Sequence, residues 1–493
     1  MLRQLTLFLL IGTTAFLSPT AMTDPQAPVV YPAEQIRFDL QQLYRDLQLG
    51  SYDLFAHTPK AEFDIIYHDM LRNINTPLSQ LEAHKRFMRF AAVAKIAHTR
   101  IDFPVDAYKE FMMRNGKTLP IDFSVTPQRV SVAAYFDNNE TSPIQVGDEL
   151  IAIDGQPVDA WLASVQAYIA ADNPEIMASL TEGLLVPLLW LHQGERDSYE
   201  LTLRHANSET PYTFTQVTLP QEDQVAGLTN DEAPGAEEKV RDYAILDGTI
   251  GYLKPGPFYN VYATSHADIW DTEEFHRFID EAFTTFKKQE VKQILIDVRD
   301  NPGGTNSFSD YMLAWFADKP FKFASDFRIK VSELSRASNQ RRLEGNGDSN
   351  ATSQQLAQLY ADHQAGDIVS FPLAEAQPHG SAKSVADRQV YVLIDRYSYS
   401  NAISVAAIAQ DYGFATVIGE KTGDLATTYA AMESFKLKYT GIEVGYPKAH
   451  IIRPNGDLKA DGVTPDISFD FMASSLSANA KLERVLSELR QQD

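Results

Sequence analysis

Two short stretches of this sequence hold residue types that could carry out acyl chemistry. The first is Asp297-Val298-Arg299-Asp300-Asn301-Pro302-Gly303-Gly304, which ends an apolar run. Two glycines after a buried strand let the backbone turn sharply and point bare N–H groups into a cavity, where they suit a developing oxyanion. Asn-Pro-Gly-Gly is equally good as a plain turn. The second stretch runs from Val392 through Asp395-Arg396-Tyr397-Ser398-Tyr399-Ser400-Asn401 to Ala402, a strand passing through a turn into a helix. A serine there meets free N–H groups and the partial positive charge of a helix N-terminus. Ser398, Ser400 and Asn401 are also favoured N-cap types, so capping accounts for any one of them taken alone.

The elements around these phrases alternate between strand and helix from about Asp242 onward. Gly248 to Leu253 reads as a strand and Glu273 to Lys287 as an amphipathic helix. Val291 to Val298 has an almost unbroken apolar centre, as in a sheet buried on both faces. Gln389 to Ile394, the helical Ala402 to Tyr412 and the strand Thr416 to Ile418 continue the pattern, which predicts an α/β domain with substantial parallel pairing. Polar residues 321–385 interrupt it as an insertion, and the acidic, turn-rich residues 221–241 read as a linker.

Earlier in the chain the period changes twice. From Ala33 to about Gly116, Phe38, Leu40, Leu43, Leu47 and then Phe87, Phe90, Val93, Ala94 recur at three- and four-residue spacing, which predicts helices. From about 117 to 220 short β-prone runs take over, with Val146-Gly147-Asp148 turning into a strand over Glu149 to Ile153 and Asp154-Gly155 forming a tight turn. Residues 1–21 have the short cationic start, apolar centre and small-residue exit of a secretory signal. No other segment reads as long enough to span a membrane, so the mature chain is expected to be exported, periplasmic or extracellular.

Composition narrows the function. The 43 Lys and Arg against 66 Asp and Glu leave a net charge of −23, which argues against a nucleic-acid partner. Cysteine is absent, which excludes disulfides, thiolate metal sites and a cysteine nucleophile. No metal-ligand spacing, calcium loop or nucleotide fingerprint appears, and no cofactor is predicted.

Taken together, five phrases in order resemble the carboxyl-terminal processing (tail-specific) proteases and the tricorn core, a family of serine peptidases. They are Ile96-Ala97-His98-Thr99 at the end of a helix, Gly147-Asp148-Glu149-Leu150 with Asp154-Gly155, Asp297 to Gly304, Ser398 to Gly423, and Arg453-Pro454-Asn455-Gly456 to Asp461-Gly462-Val463-Thr464-Pro465-Asp466. The resemblance implies a multidomain α+β and α/β chain. Its parts are an N-terminal helical domain (33–116), a PDZ-like module (117–220) and a crotonase/Clp-protease-like catalytic domain (242–475). It places the nucleophile on Ser400 and the oxyanion donors on Asn401 and Gly303 or Gly304.

The general base departs from the processing proteases. The count that gives their lysine lands on Leu425, which cannot accept a proton, and Lys421 reads as structural. The tricorn-like branch uses a histidine ahead of the PDZ-like module, and His98 matches that position, whereas His57 reads as structural. The branch's orienting glutamate meets Lys459, leaving Asp461 as the nearest acid and Asp457 as the next. The resemblance implies an endopeptidase acting on peptides or unfolded proteins. A catalytically decayed peptide- or ligand-binding protein, or a hydrolase of another acyl group, would use the same scaffold.

Overall fold

A computed structural model describes residues 29–224, 239–265, 267–346, 351–469 and 478–491. The expected signal segment and most of the expected linker (225–238) lie outside the described residues. Helix α1 (Ala33–Gly50) buries Ile36, Leu40, Leu43 and Leu47, one stripe at helical spacing. Phe38, predicted to share that stripe, is 38% exposed and packs edge-on to Tyr439. Two residues from both Ile36 and Leu40, it stands about 200° around the helix from each. Helix α2 (Lys60–Asn73) follows, and α3 (Gln80–Ala92) begins where Ser79 accepts the Glu82 N–H as an N-cap. Helix α3 ends at Ala92, so Ala97-His98 lies in a turn beyond it rather than at a helix end. Helix α4 (Val105–Met113) closes this part.

The next module is an antiparallel sheet of strands β1 (Ile121–Val125), β2 (Val130–Tyr135), β3 (Glu149–Ile153), β4 (Ser198–Arg204) and β5 (Tyr212–Val217), in that spatial order. Helices α5 (Val158–Gln166) and α6 (Pro174–Gln193) lie between β3 and β4 in the chain. Helix α6 is long and apolar enough by length and composition to cross a membrane, contrary to the sequence expectation, and 56% of that window is buried in the protein. Leu185, Leu188, Leu189 and Leu191 are sealed in one core shared with the N-terminal helices. An apolar face on nearly every side suits a helix packed between a sheet and a neighbouring domain.

The third part is built on a six-stranded sheet. Its strands are β6 (Asp242–Leu246), β7 (Ile250–Lys254), β8 (Gln293–Asp297), β11 (Gln389–Ile394), β12 (Thr416–Gly419) and β15 (Ile467–Ser468), ordered 6-7-8-11-12-15 and parallel from β7 onward. Helices α7 (Glu273–Lys288), α8 (Asn306–Leu313) and α11 (Asn401–Tyr412) cover one face, and α12 (Ala478–Leu489) the other. Alternate residues of β8 point to opposite cores: Ile294 and Ile296 to the first, Leu295 to the second. The expected insertion, residues 321–385, holds β9 (Asp326–Lys330), α9 (Glu333–Asn346), α10 (Ala351–Asp362) and β10 (Ile368–Ser370). Strands β9 and β10 join β13 (Thr428–Lys436) and β14 (Glu443–Ile452) in an antiparallel sheet ordered 10-9-14-13.

Candidate active site

The two phrases singled out by residue type meet at the carboxyl ends of neighbouring parallel strands, β8 and β11, where doubly wound sheets place their sites. Between β11 and α11, the two serines divide their roles. Ser398 is buried; its Oγ donates to the Val298 carbonyl at 2.7 Å and accepts the Asp395 N–H at 3.1 Å. Asp395 in turn takes the N–H groups of Tyr397 and Ser398. Ser398 therefore ties the turn together.

Ser400 has none of these ties. It occupies the N-cap position of α11 with φ 54° and ψ −120°, and its side chain caps nothing. A non-glycine residue in that region costs roughly 1–3 kcal/mol and persists only where its surroundings hold it. The hold comes from Asp424, whose Oδ2 accepts the Ser400 N–H at 2.7 Å while Oδ1 accepts that of Leu425 at 2.8 Å. Burial pushes the Asp424 carboxyl up to about 7, against the two N–H groups that pull it down. Ser400 is thus presented on a sharp strand-to-helix turn with its Oγ free of hydrogen bonds among the described residues.

Gly303 lies directly against it. A Cβ there would stand 2.8 Å from Ser400 Cβ, 2.7 Å from Asn401 N and 2.6 Å from Tyr399 O, and φ is +85°. Only glycine fits. The Gly303 N–H is spent on Asn301 Oδ1 at 2.9 Å, however, so of the two predicted glycine donors it is Gly304 whose N–H has no acceptor among the described residues. The Asn401 N–H is also unclaimed, while its side chain donates to Ser309 Oγ at 2.9 Å. Unclaimed N–H groups on the residue after the half-buried Ser400 and on the glycine after Gly303 are the kind of donors an oxyanion requires.

His98 reaches the same place from the N-terminal domain. Its ring stacks on Tyr399 with centroids 5.6 Å apart and an interplanar angle of 20°. The side chain is buried, and Nδ1 has no hydrogen-bond partner. Burial lowers its pKa to about 4, with Asp172 working upward and Arg100 downward. No hydrogen bond joins His98 to Ser400 in this arrangement. His57 lies near, its Nε2 3.5 Å from Asp172 Oδ1, and that carboxylate, against burial, raises its pKa.

The other predicted residues lie elsewhere. Asp461 is not brought to His98; Lys421 Nζ meets its Oδ1 at 2.5 Å and Lys459 Nζ its Oδ2 at 2.8 Å. Burial works against it, but the two lysines hold its carboxyl at about 2. The Asp457 carboxylate accepts the Lys459 N–H within its own loop. Leu425 is buried apolar packing. Sequence reasoning missed Asp424, one residue before the position it tested, and Asp172, whose place beside Ala97 is purely tertiary. Among the described residues no group of three or more His, Asp or Glu side chains is placed to hold a metal.

The PDZ-like module is fastened to this turn. Asn173 Nδ2 donates to the Gly423 carbonyl at 3.0 Å, Ser179 Oγ to that of Arg396 at 3.3 Å, and Glu182 receives Arg396 and Tyr397. Arg396 also donates to the carbonyl of Val125, at the end of edge strand β1.

A helical N-terminal part, a small antiparallel module and a parallel α/β domain meet around the half-buried Ser400 turn. Residues 250–469 match peptidase family S41, and residues 115–221 match the PDZ domain. The chain carries an S41 peptidase domain together with a PDZ domain and is a serine peptidase. Its fold is similar to that of mature CPAF complexed with lactacystin (TM-score 0.60, 15% identity, covering 94% of this chain and 99% of that one). The photosystem II D1 C-terminal processing protease overlaps at TM-score 0.45 and 13% identity, over 90% of this chain and 96% of that one. No curated protein matches the chain by sequence.

Proposed function

We propose that this chain is an exported serine endopeptidase in which Ser400 is the nucleophile and His98 the general base. The observation that carries the reading is the backbone of Ser400, held at φ 54° by a buried carboxylate so that its Oγ is presented beside unclaimed N–H groups. His98 Nε2 takes the Ser400 proton as Oγ attacks the scissile carbonyl, and the N–H groups of Asn401 and Gly304 receive the oxyanion. The imidazolium then gives that proton to the leaving amine. Water, deprotonated in the same way, releases the acyl group from Ser400. A histidine base suits this site better than a lysine. Burial keeps the imidazole neutral near pH 7, whereas Lys421 is half-exposed and committed to Asp461. The signal-like first 21 residues support action outside the cytoplasm.

The substrate is an extended peptide. Edge strand β1 faces α6, the arrangement in which PDZ domains add a peptide strand to a sheet. The test is digestion of a diverse peptide pool by the mature chain beside Ser400→Ala, read by mass spectrometry. Cuts made only by the parent enzyme support the reading; cuts common to both proteins remove Ser400 from the mechanism.

A further inference from the structure

We propose that Asp172, carried by the PDZ module, is the acid that positions the His98 ring, filling the role left vacant at Lys459. The inference rests on His98 being the base. Three observations place Asp172 there. Ala97, Ala171 and Tyr399, which immediately precede His98, Asp172 and Ser400, pack with Ile176 in one small apolar cluster, so three parts of the chain deliver their next side chains to one spot. Asp172 Oδ2 accepts the Ala97 N–H at 2.8 Å and so fixes the turn that carries His98. Two buried polar atoms then stand without hydrogen-bond partners, Asp172 Oδ1 and His98 Nδ1.

An Nδ1–H···Oδ1 hydrogen bond satisfies both atoms. It sets the tautomer with the proton on Nδ1 and leaves Nε2 as the acceptor for the Ser400 proton. It also stabilises the imidazolium formed on transfer. Asp172 has one competing claimant, His57, whose Nε2 pairs with Oδ1 at 3.5 Å, the long limit for a hydrogen bond. The other charged and titratable groups facing His98 are Arg100 and the stacked Tyr399, with Asp424 beyond Tyr399. Asp172 is followed directly by Asn173, the N-cap of α6, whose side chain is bonded to Gly423. The acid is therefore in place only while the PDZ module is docked.

The experiment compares full-length Asp172→Asn, Asp172→Glu, His57→Gln and His98→Ala. The Asn oxygen can still accept the Ala97 N–H, so only the charge and the second acceptor are lost. The expected result for Asp172→Asn is a kcat at least about 100-fold lower with KM within about twofold, as for loss of an orienting carboxylate in a triad. Its acid limb should also move to lower pH, because removing an anion disfavours the imidazolium. Asp172→Glu recovers part of kcat, and His57→Gln retains activity. Normal kcat in Asp172→Asn beside an inactive His98→Ala overturns the inference alone. Full activity in His98→Ala overturns the base assignment with it. Loss of activity in His57→Gln equal to that in Asp172→Asn overturns it too, because Asp172 would then act through His57. Should Asp172→Asn fail to fold, nitrogen-15 histidine NMR of the parent enzyme decides: a proton on Nδ1 of His98 supports the inference, and one on Nε2 overturns it.

Discussion

The acid limb of kcat/KM separates the two histidines near Ser400. Burial takes His98 from 6.5 to about 4, a shift worth about 3 kcal/mol at roughly 1.4 kcal/mol per unit. His57 moves the other way, raised by its contact with Asp172. At pH 5.5 a base titrating at about 4 is about 97% neutral, whereas one at about 6.5 is about 9% neutral. With His98 as base, its own titration should leave kcat/KM at pH 5.5 within a few per cent of the plateau and halve it only near 4; any loss near 7 then belongs to Asp424 and is identified by repeating the profile in Asp424→Asn. Initial rates on a quenched fluorescent peptide, with activity rechecked after return to neutral pH, would measure this. An acid limb centred at 6.5 or above that persists in Asp424→Asn would exclude His98 as the base and turn attention to His57. The same burial affects stability. The unfolded chain takes up the His98 proton below about 6.5 and the folded one only below about 4, so this group's contribution is lost as pH falls through that window.

Asp424 produces the opposite slope. Its carboxyl is raised from 3.8 to about 7, so the stability it contributes is present below about 4 and lost as pH rises through 7. Relative to the parent enzyme, Asp424→Asn should become more stable with rising pH between 4 and 7 in thermal melts. Its kcat should fall, because the amide can accept only one of the two N–H groups it inherits. Gly303→Ala puts a methyl within 3.0 Å of three atoms of the Ser400 turn at a positive φ. Activity should drop by about 100-fold or more from misplacement of the nucleophile, measured as kcat on the same peptide. Glu182→Ala strands the partly buried Arg396. A loss of about 3 kcal/mol in denaturant unfolding is expected, the lower range for breaking a buried pair. Lys421→Met should leave kcat within about threefold, because that lysine serves Asp461 at the surface.

The scaffold was largely legible in the sequence because its signals are local. The unbroken apolar centre of β8 predicts burial on both faces, and the structure splits its residues between two cores. The serine turn was legible as a strand running into a helix. Local residue types did not distinguish Ser398 from Ser400, which only the family resemblance singled out, because the tie that occupies Ser398 comes from Val298, one hundred residues earlier. Helix α6 escaped a periodicity reading because it is apolar nearly all round, and residues 321–385 looked like a polar insertion because their strands complete a sheet with β14, far along the chain. The acids were hardest to read. Asp461 was chosen for its place in the sequence and is held by two lysines. Asp172 sits before an ordinary helix cap, and nothing nearby in the chain signals that it bonds Ala97, 75 residues away.

Covalent trapping shows whether His98 activates Ser400. The full-length enzyme and His98→Ala would be treated with a fluorophosphonate, which needs an activated serine, and the adduct located by peptide mass mapping. A single adduct on Ser400 is expected in the parent enzyme, with a labelling rate at least about 100-fold lower in His98→Ala. An adduct on any other residue, or equal labelling rates in the two proteins, would contradict activation of Ser400 by His98.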